Sequence, residues 1–437
     1  MTPSRRDALK LFGAAAFGTA SFASDAGTAI APDARLYPGG QAGRLPIVQG
    51  ATDRSSAAFI LLVPSDAGLA VDIRDGEGRA VAARIVNRFD LPLAGVSTIE
   101  MVATGLVPRR DFSLTVIDDA GASLDRRIFQ SLETDRPTAR FAVASCMDER
   151  FGQQAITMWE AMAREAPDFV VLLGDTCYAD RRNPERNEAG YARRYAETRL
   201  ALSWFRFERL VPTFAVWDDH DFGADNADRS FRHASFTRQL FDSFWGTAAN
   251  AAWHRGFGVG SRIEAFGQRF YLMDDRTYRD PPRQAGGRQW GAEQTDWLFS
   301  ELSVGDHPSW IMNGGQFFGR PLFMESMEGN HPDELREIVT RLSSIAAPVA
   351  LVSGDVHFSA ISAIGPERFG YPTYEFTSSS IHSTFNPGPI RRGNLVAERR
   401  HNFMVFDVDT RASWQIGARA VLGDNAVAFA QGLTISR

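Results

Sequence analysis

The sequence predicts an α/β domain over residues 137–437, preceded by a small β-sandwich over residues 31–136. Two observations carry this. Between residues 56 and 116, short alternating apolar segments are separated by turn signals, the spacing of a small sandwich. After Pro137, wholly apolar strands alternate with helical periodicity, the pattern of buried, partly parallel strands.

In chain order, residues 1–30 read as an export signal. Ser4-Arg5-Arg6-Asp7-Ala8-Leu9-Lys10 is followed by an apolar run over 11–23 with small residues near its end. The run is too short to span a bilayer, which takes about 20 apolar residues. The paired arginines resemble a twin-arginine signal. The expectation is passage through the twin-arginine export machinery, a periplasmic or secreted location, and no stable membrane insertion. Residues 31–46, rich in Gly, Pro and Ala, read as a linker. Residues 56–63, 68–73, 81–86, 96–102 and 112–116 read as strands, with turns at Asp75-Gly76, Pro108 and Asp119-Ala120-Gly121.

Beyond Pro137, residues 141–144 read as a strand and 153–164 as a helix. Residues 169–173, 214–216 and 349–352 are further apolar strands. Each strand runs into a segment rich in metal-binding residue types. These are Ser145-Cys146, Gly174-Asp175-Thr176-Cys177-Tyr178, Trp217-Asp218-Asp219-His220-Asp221 and Gly354-Asp355-Val356-His357. In open α/β sheets, ligands bind beyond the carboxyl ends of strands.

Composition narrows the function. A net charge of −6 gives no footprint for nucleic acid. Lys10 is the only lysine, so the cationic side chains are otherwise arginines, which grip phosphate with a planar fork. Arg150, Arg181, Arg182, Arg276 and Arg279 are candidates for that grip, against the plainer role of surface ion pairs. Two cysteines in 437 residues make no disulfide framework, although a single bridge between Cys146 and Cys177 stays open. There is no Gly-x-Ser-x-Gly elbow and no phosphate-binding P-loop.

The strand-end residues suit a two-ion centre. Two cations about 4 Å apart activate water and neutralise charge developing on phosphorus. Asp175 is placed to bridge them. Tyr178 offers a phenolate and Cys146 a thiolate, His357 adds an imidazole, and Asp219 and Asp355 suit an oxygen-preferring ion. The bland readings are a helix cap for Asp175, a packed aromatic for Tyr178 and a buried small hydrophobe for Cys146.

The four segments, in this order, resemble the calcineurin-like metallophosphoesterases, and most closely the PhoD-like alkaline phosphatases. Asp275-Arg276-Thr277-Tyr278-Arg279 and Glu375-Phe376-Thr377-Ser378-Ser379 extend the match. The resemblance implies a four-layer αββα sandwich behind the β-sandwich. It implies a ferric ion on Cys146, Asp175, Tyr178 and His357, and one or two calcium ions on Asp175, Asp219 and Asp355. It places His220 beside the leaving-group oxygen, where an imidazole donates a proton or hydrogen bond. The implied activity is hydrolysis of phosphate monoesters, diesters or both, by attack of metal-bound hydroxide.

Two departures stand out. A Gly-Asn-Gln element of the family is Gly314-Gly315-Gln316 here, and the segment after His220 reads Asp225-Asn226-Ala227-Asp228. Asp148 and His382 are additional candidates, the latter for the pocket or for a surface loop. Two alternatives remain: a dedicated phosphodiesterase acting on phospholipid or nucleotide esters, and a cell-surface binding protein that has lost catalysis.

Overall fold

The computed structural model describes residues 43–319, 325–386 and 394–437. The expected export signal and most of the linker lie outside these residues. All described residues belong to one compact unit.

The first seven strands form two antiparallel sheets. One has four strands in the order Ile47–Thr52, Ser56–Pro64, Val96–Thr104, Ala82–Leu91. The other has three, Leu69–Asp75, Phe112–Asp118 and Ser123–Phe129. Alternation along Ser56–Pro64 explains how they pack. Ala57, Phe59, Leu61 and Val63 share an apolar cluster with Leu114, Val116 and Phe129 of the smaller sheet. Their neighbours Ala58, Ile60 and Leu62 point the other way, into the clusters of the α/β part. A strand buried on both faces reads as a continuous apolar run, and Ala57 to Val63 is one.

Two of these strands escape the sequence pattern. Ile47–Thr52 follows directly on the linker-like stretch and carries Gly50. Ser123–Phe129 carries Asp125, Arg126 and Arg127. Arg127 is fully buried because Nε and Nη2 close on Asp125, Nη2 also donates to the Leu45 carbonyl, and Nη1 donates to the Phe207 carbonyl. A buried charge survives when paired and hydrogen-bonded, so polarity there does not mean exposure.

The α/β part holds two larger sheets. A six-stranded sheet runs in the order Thr213–Val216, Phe169–Leu173, Thr138–Ala144, Phe403–Asp409, Trp414–Val421, Val427–Ile435. Its first three strands are mutually parallel. An eight-stranded sheet contains Gln268–Met273, Ser309–Asn313, Val349–Ser353 and Thr373–Thr377 as parallel neighbours. Phe141 joins the sheets: its ring lies 5.1 Å from Phe169 and 4.8 Å from Phe406 in its own sheet, and 5.4 Å from Phe270 and 5.2 Å from Trp310 in the other.

The remaining face of the six-stranded sheet is covered by the helix Gly152–Arg164, which buries Met158, Trp159 and Met162 against Ala142, Val170 and Val405. The helix Pro332–Leu342 starts on proline, whose fixed φ suits the first helical position. It turns Leu335, Ile338 and Leu342 inward at helical spacing.

Both cysteines are free and buried, so the Cys146–Cys177 bridge is not formed. Cys177 packs in the inter-sheet apolar cluster, while Cys146 faces the site described next.

Candidate metal centre

The site gathers where parallel strands of both large sheets end. Cys146, Asp175 and Asp355 each stand two residues past the last residue of their strands, Thr138–Ala144, Phe169–Leu173 and Val349–Ser353. Asp219 opens a short helix, Asp219–Phe222, after Thr213–Val216. The crossings are tight, which explains the two Gly-Asp pairs. A Cβ on Gly174 (φ +77°) would lie 2.3 Å from the Asp218 Cβ. One on Gly354 would lie 2.7 Å from the Leu173 carbonyl oxygen and 2.8 Å from the Ser145 side chain.

Donor atoms of Cys146, Asp175 and His357 lie within 4.8 Å of one another, as do those of Asp175, Asp219 and His220. Asp175 is common to both groups. The Tyr178 hydroxyl is 3.4 Å from His357 Nε2 and 2.7 Å from Ser383 Oγ. Asp355 brings its carbonyl within 3.5 Å of Cys146 Sγ. All seven residues singled out from the sequence therefore belong to one locality.

The donor set fits cations. Asp175 Oδ1 and Asp355 Oδ2 are buried and have no hydrogen-bond partner among the described residues, and the same holds for Asp218 Oδ2 and Asp275 Oδ1. Burying unpartnered carboxylate oxygen is costly. Burial, with Asp219 and Asp221 adding to it against the pull of His220, raises the Asp175 carboxyl to about 8. Burial and the Asp219 and Asp175 charges push Asp355 well above its usual range. The Cys146 thiol and the Tyr178 phenol are likewise driven up, first by burial and then by neighbouring acidic groups. His357 is held neutral, its pKa lowered to about 4 by burial. Neutral imidazole is the form that ligates. A soft sulfur, a phenol oxygen and an imidazole on one side, with carboxylates on the other, suit two different ions.

Around this core act residues that had no role assigned from the sequence, although Asp275 and Ser379 stand in the two segments that extend the match. Asp180 Oδ1 lies 2.7 Å from His220 Nδ1. Burial lowers the pKa of His220, but Asp219, Asp175 and Asp180 outweigh it and lift the imidazole to about 10. Ser379 donates to Cys146 Sγ at 3.1 Å. Asp275 stands two residues past Gln268–Met273, the same strand-end position as Cys146, Asp175 and Asp355, and that position was the available signal for it. Asp180 carried no such signal, because it meets His220 only through the fold.

The other candidates lie around this core. Arg150 Nε sits 2.8 and 2.9 Å from the two oxygens of Asp148, so that carboxylate is engaged. His382 is fully buried, neither in a surface loop nor among the grouped donors; its Nδ1 lies 3.0 Å from the Asp148 carbonyl. Asn226 gives its backbone N–H to Asp219 at 2.6 Å, while Asp225 Oδ1 stands 3.8 Å from His220 Nε2. At the altered glycine element, the Gly315 N–H donates to Asp275 Oδ2 at 2.9 Å.

Known proteins resemble this chain in family and fold. A family model described as PhoD-like phosphatase matches residues 141–419, more than half of the chain. No curated protein sequence matches. Among solved structures, that of PhoD superposes with a TM-score of 0.69 at 17% identity, covering 89% of this chain and 88% of that one. A purple acid phosphatase from yellow lupin (Lupinus luteus) seeds superposes with a TM-score of 0.62 at 13% identity, covering 89% and 74%. At these identities the superpositions speak for a shared mixed α/β fold.

Proposed function

The chain belongs to the PhoD-like phosphatase family and is a phosphoric ester hydrolase; on that premise we propose that it is an exported enzyme with a mixed-ion centre, acting on phosphate monoesters, diesters or both. In this reading a ferric ion is held by Cys146, Asp175, Tyr178 and His357, and one or two calcium ions by Asp175, Asp219 and Asp355. Export rests on the paired arginines at Arg5-Arg6 and the apolar run behind them. The two large sheets with helices on their outer faces form the αββα core of this reading, and the two smaller sheets its accessory sandwich.

The observation that carries the ion centre is the set of buried carboxylate oxygens without partners around Asp175. When bound, the ions supply charge neutralisation and an activated water for in-line attack on phosphorus. The remaining work falls to side chains of the chain. Asp180 fixes the ring of His220 by accepting from Nδ1, so that Nε2, which lies 3.2 Å from Arg181 Nη2, is the nitrogen that serves the leaving oxygen when substrate is bound. Ser379 and Ser383 orient the sulfur and the phenol by hydrogen bonds.

Hydrolysis of nitrophenyl phosphate and bis-nitrophenyl phosphate by wild type and Asp175→Ala tests this, together with elemental analysis. Asp175 is shared by both donor groups, so the variant is expected to lose both ions and most activity. A variant with undiminished activity, or a wild type made with iron and calcium present yet containing neither, overturns the assignment.

A further inference from the structure

We propose that Arg181 is the residue that makes this site prefer phosphate monoesters to diesters, by donating to the third non-ester oxygen that only a monoester carries. The inference rests on the phosphoesterase reading above and deepens it.

Five arginines are candidates from the sequence, and the structure separates them. Arg276 and Arg279 are each 1% exposed and close on Asp218 and Glu325. Arg150 spends its fork on both oxygens of Asp148. Arg182 is turned outward, 57% exposed and 3.4 Å from Glu149. Arg181 is different. Its guanidinium carbon lies 4.3 Å from the centroid of the Tyr178 ring, and its Nη2 is 3.2 Å from His220 Nε2. Its one acidic partner among the described residues, Asp148, is 3.8 Å away and already engaged by Arg150.

Arg181 therefore spans Tyr178 and His220, whose ring centroids are 4.4 Å apart. Those two side chains are buried, whereas the Arg181 side chain is 31% exposed. It is an accessible cation beside both the proposed iron ligand and the proposed leaving-group donor. Stacking fixes its plane, and a fixed fork loses little freedom when it binds an oxyanion.

The chemistry of the two ester classes does the rest. A monoester presents three non-ester oxygens, and above its second pKa of about 6 it carries two charges. A diester presents two such oxygens and one charge. With two oxygens facing the cation centre, the third position is an oxygen anion in a monoester and an uncharged ester arm in a diester. Arg181 rewards the first with charge-assisted hydrogen bonds and meets the second with bulk and an unpaired charge.

The test compares kcat/KM for nitrophenyl phosphate and bis-nitrophenyl phosphate at pH 8, on the metal-loaded full chain, for wild type, Arg181→Gln and Arg181→Lys. Arg181→Gln is expected to lower the monoester value by about 10- to 150-fold, the range for losing a hydrogen bond to a charged group. The diester value is expected to hold or rise, and inorganic phosphate to inhibit less strongly by a similar factor. Arg181→Lys, which keeps charge without the fork, is expected to fall between. Equal losses for both esters would assign Arg181 to supporting Tyr178 and overturn the proposal, leaving the phosphoesterase reading intact. A loaded wild type that cleaves neither ester would overturn the reading and the proposal together.

Discussion

Removing the carboxylate behind His220 has a size that the geometry sets. Asp180 accepts from His220 Nδ1 at 2.7 Å, the length of a charge-assisted bond. Hydrogen bonds to charged groups contribute about 1.5–3 kcal/mol, and neutral ones about half of that. Asp180→Ala loses the whole bond and is expected to slow proton delivery by about 10- to 150-fold. Asp180→Asn keeps a neutral acceptor and is expected to lose roughly 10-fold. The loss must depend on the leaving group. An alkyl phosphate expels a basic alkoxide that needs the proton, whereas nitrophenolate leaves without one. The assay is therefore kcat across phosphate monoesters of graded leaving-group pKa, for wild type and both variants. The slope of log kcat against leaving-group pKa should steepen in the variants, with nitrophenyl phosphate nearly spared. With one nearby carboxylate gone, the imidazole pKa falls, so the alkaline limb for alkyl phosphates should move to lower pH. Variants that slow every ester by one common factor would refute the role given to the Asp180–His220 pair.

Stripping ions should make stability depend on pH. Asp175 is raised to about 8 and Asp275 to about 7, in both cases chiefly by burial. A carboxyl whose folded pKa is raised contributes stability below its unfolded value near 3.8, and that contribution is lost as pH climbs through the folded pKa. Chelator-treated protein should thus melt lower at pH 8.5 than at pH 6, with the gap closed by added metal; calorimetric Tm values that show no such gap would count against the buried acidic cluster. In the core, Phe141→Ala removes the ring joining the two large sheets and should cost about 3–5 kcal/mol, read from chemical denaturation.

Much of the centre was legible before any coordinates because strand ends declare themselves. An apolar run such as Phe169–Leu173 can only be a buried strand or a piece of buried helix, and Gly174 ends it. Cys146 and Asp175 follow their apolar runs at an offset of two residues and Asp355 at three, so position and chemistry agreed. What stayed hidden depends on contacts across the chain. Asp180 meets His220 from 40 residues away. Ser383 meets Tyr178 from 205 residues away. Arg181 could be named from the sequence among five arginines, yet nothing local distinguished it from Arg182 beside it. The strand Ser123–Phe129 was missed for a related reason: pairing of Arg127 with Asp125 lets charge enter a place where periodicity expects apolar residues.

Backbone conformation supplies an argument for the site that the residue types alone do not. Cys146, Asp175, Asp355 and His357 all have positive φ, at 58°, 50°, 64° and 56°. Only a few per cent of non-glycine residues adopt this region. Four among the seven proposed site residues is far from that expectation. Such conformations cost about 1–3 kcal/mol each and persist where the surroundings impose them. Positive φ recurs just past the strands Thr138–Ala144, Phe169–Leu173 and Val349–Ser353, where the chain leaves the extended path of each strand. Extended backbone would carry Cys146 and Asp355 onward and apart. Strain of this kind is tolerable in a fold that buries two large sheets against each other, because the rings of Phe141, Phe169, Trp310 and Phe406, three or four residues before the ends of their strands, pack the sheets together. On this argument the aromatic core and the donor cluster are one system: loosening the sheets should release the turns and scatter the donors. Phe141→Ala should therefore weaken metal retention as well as stability, although no atom of that ring is offered to an ion.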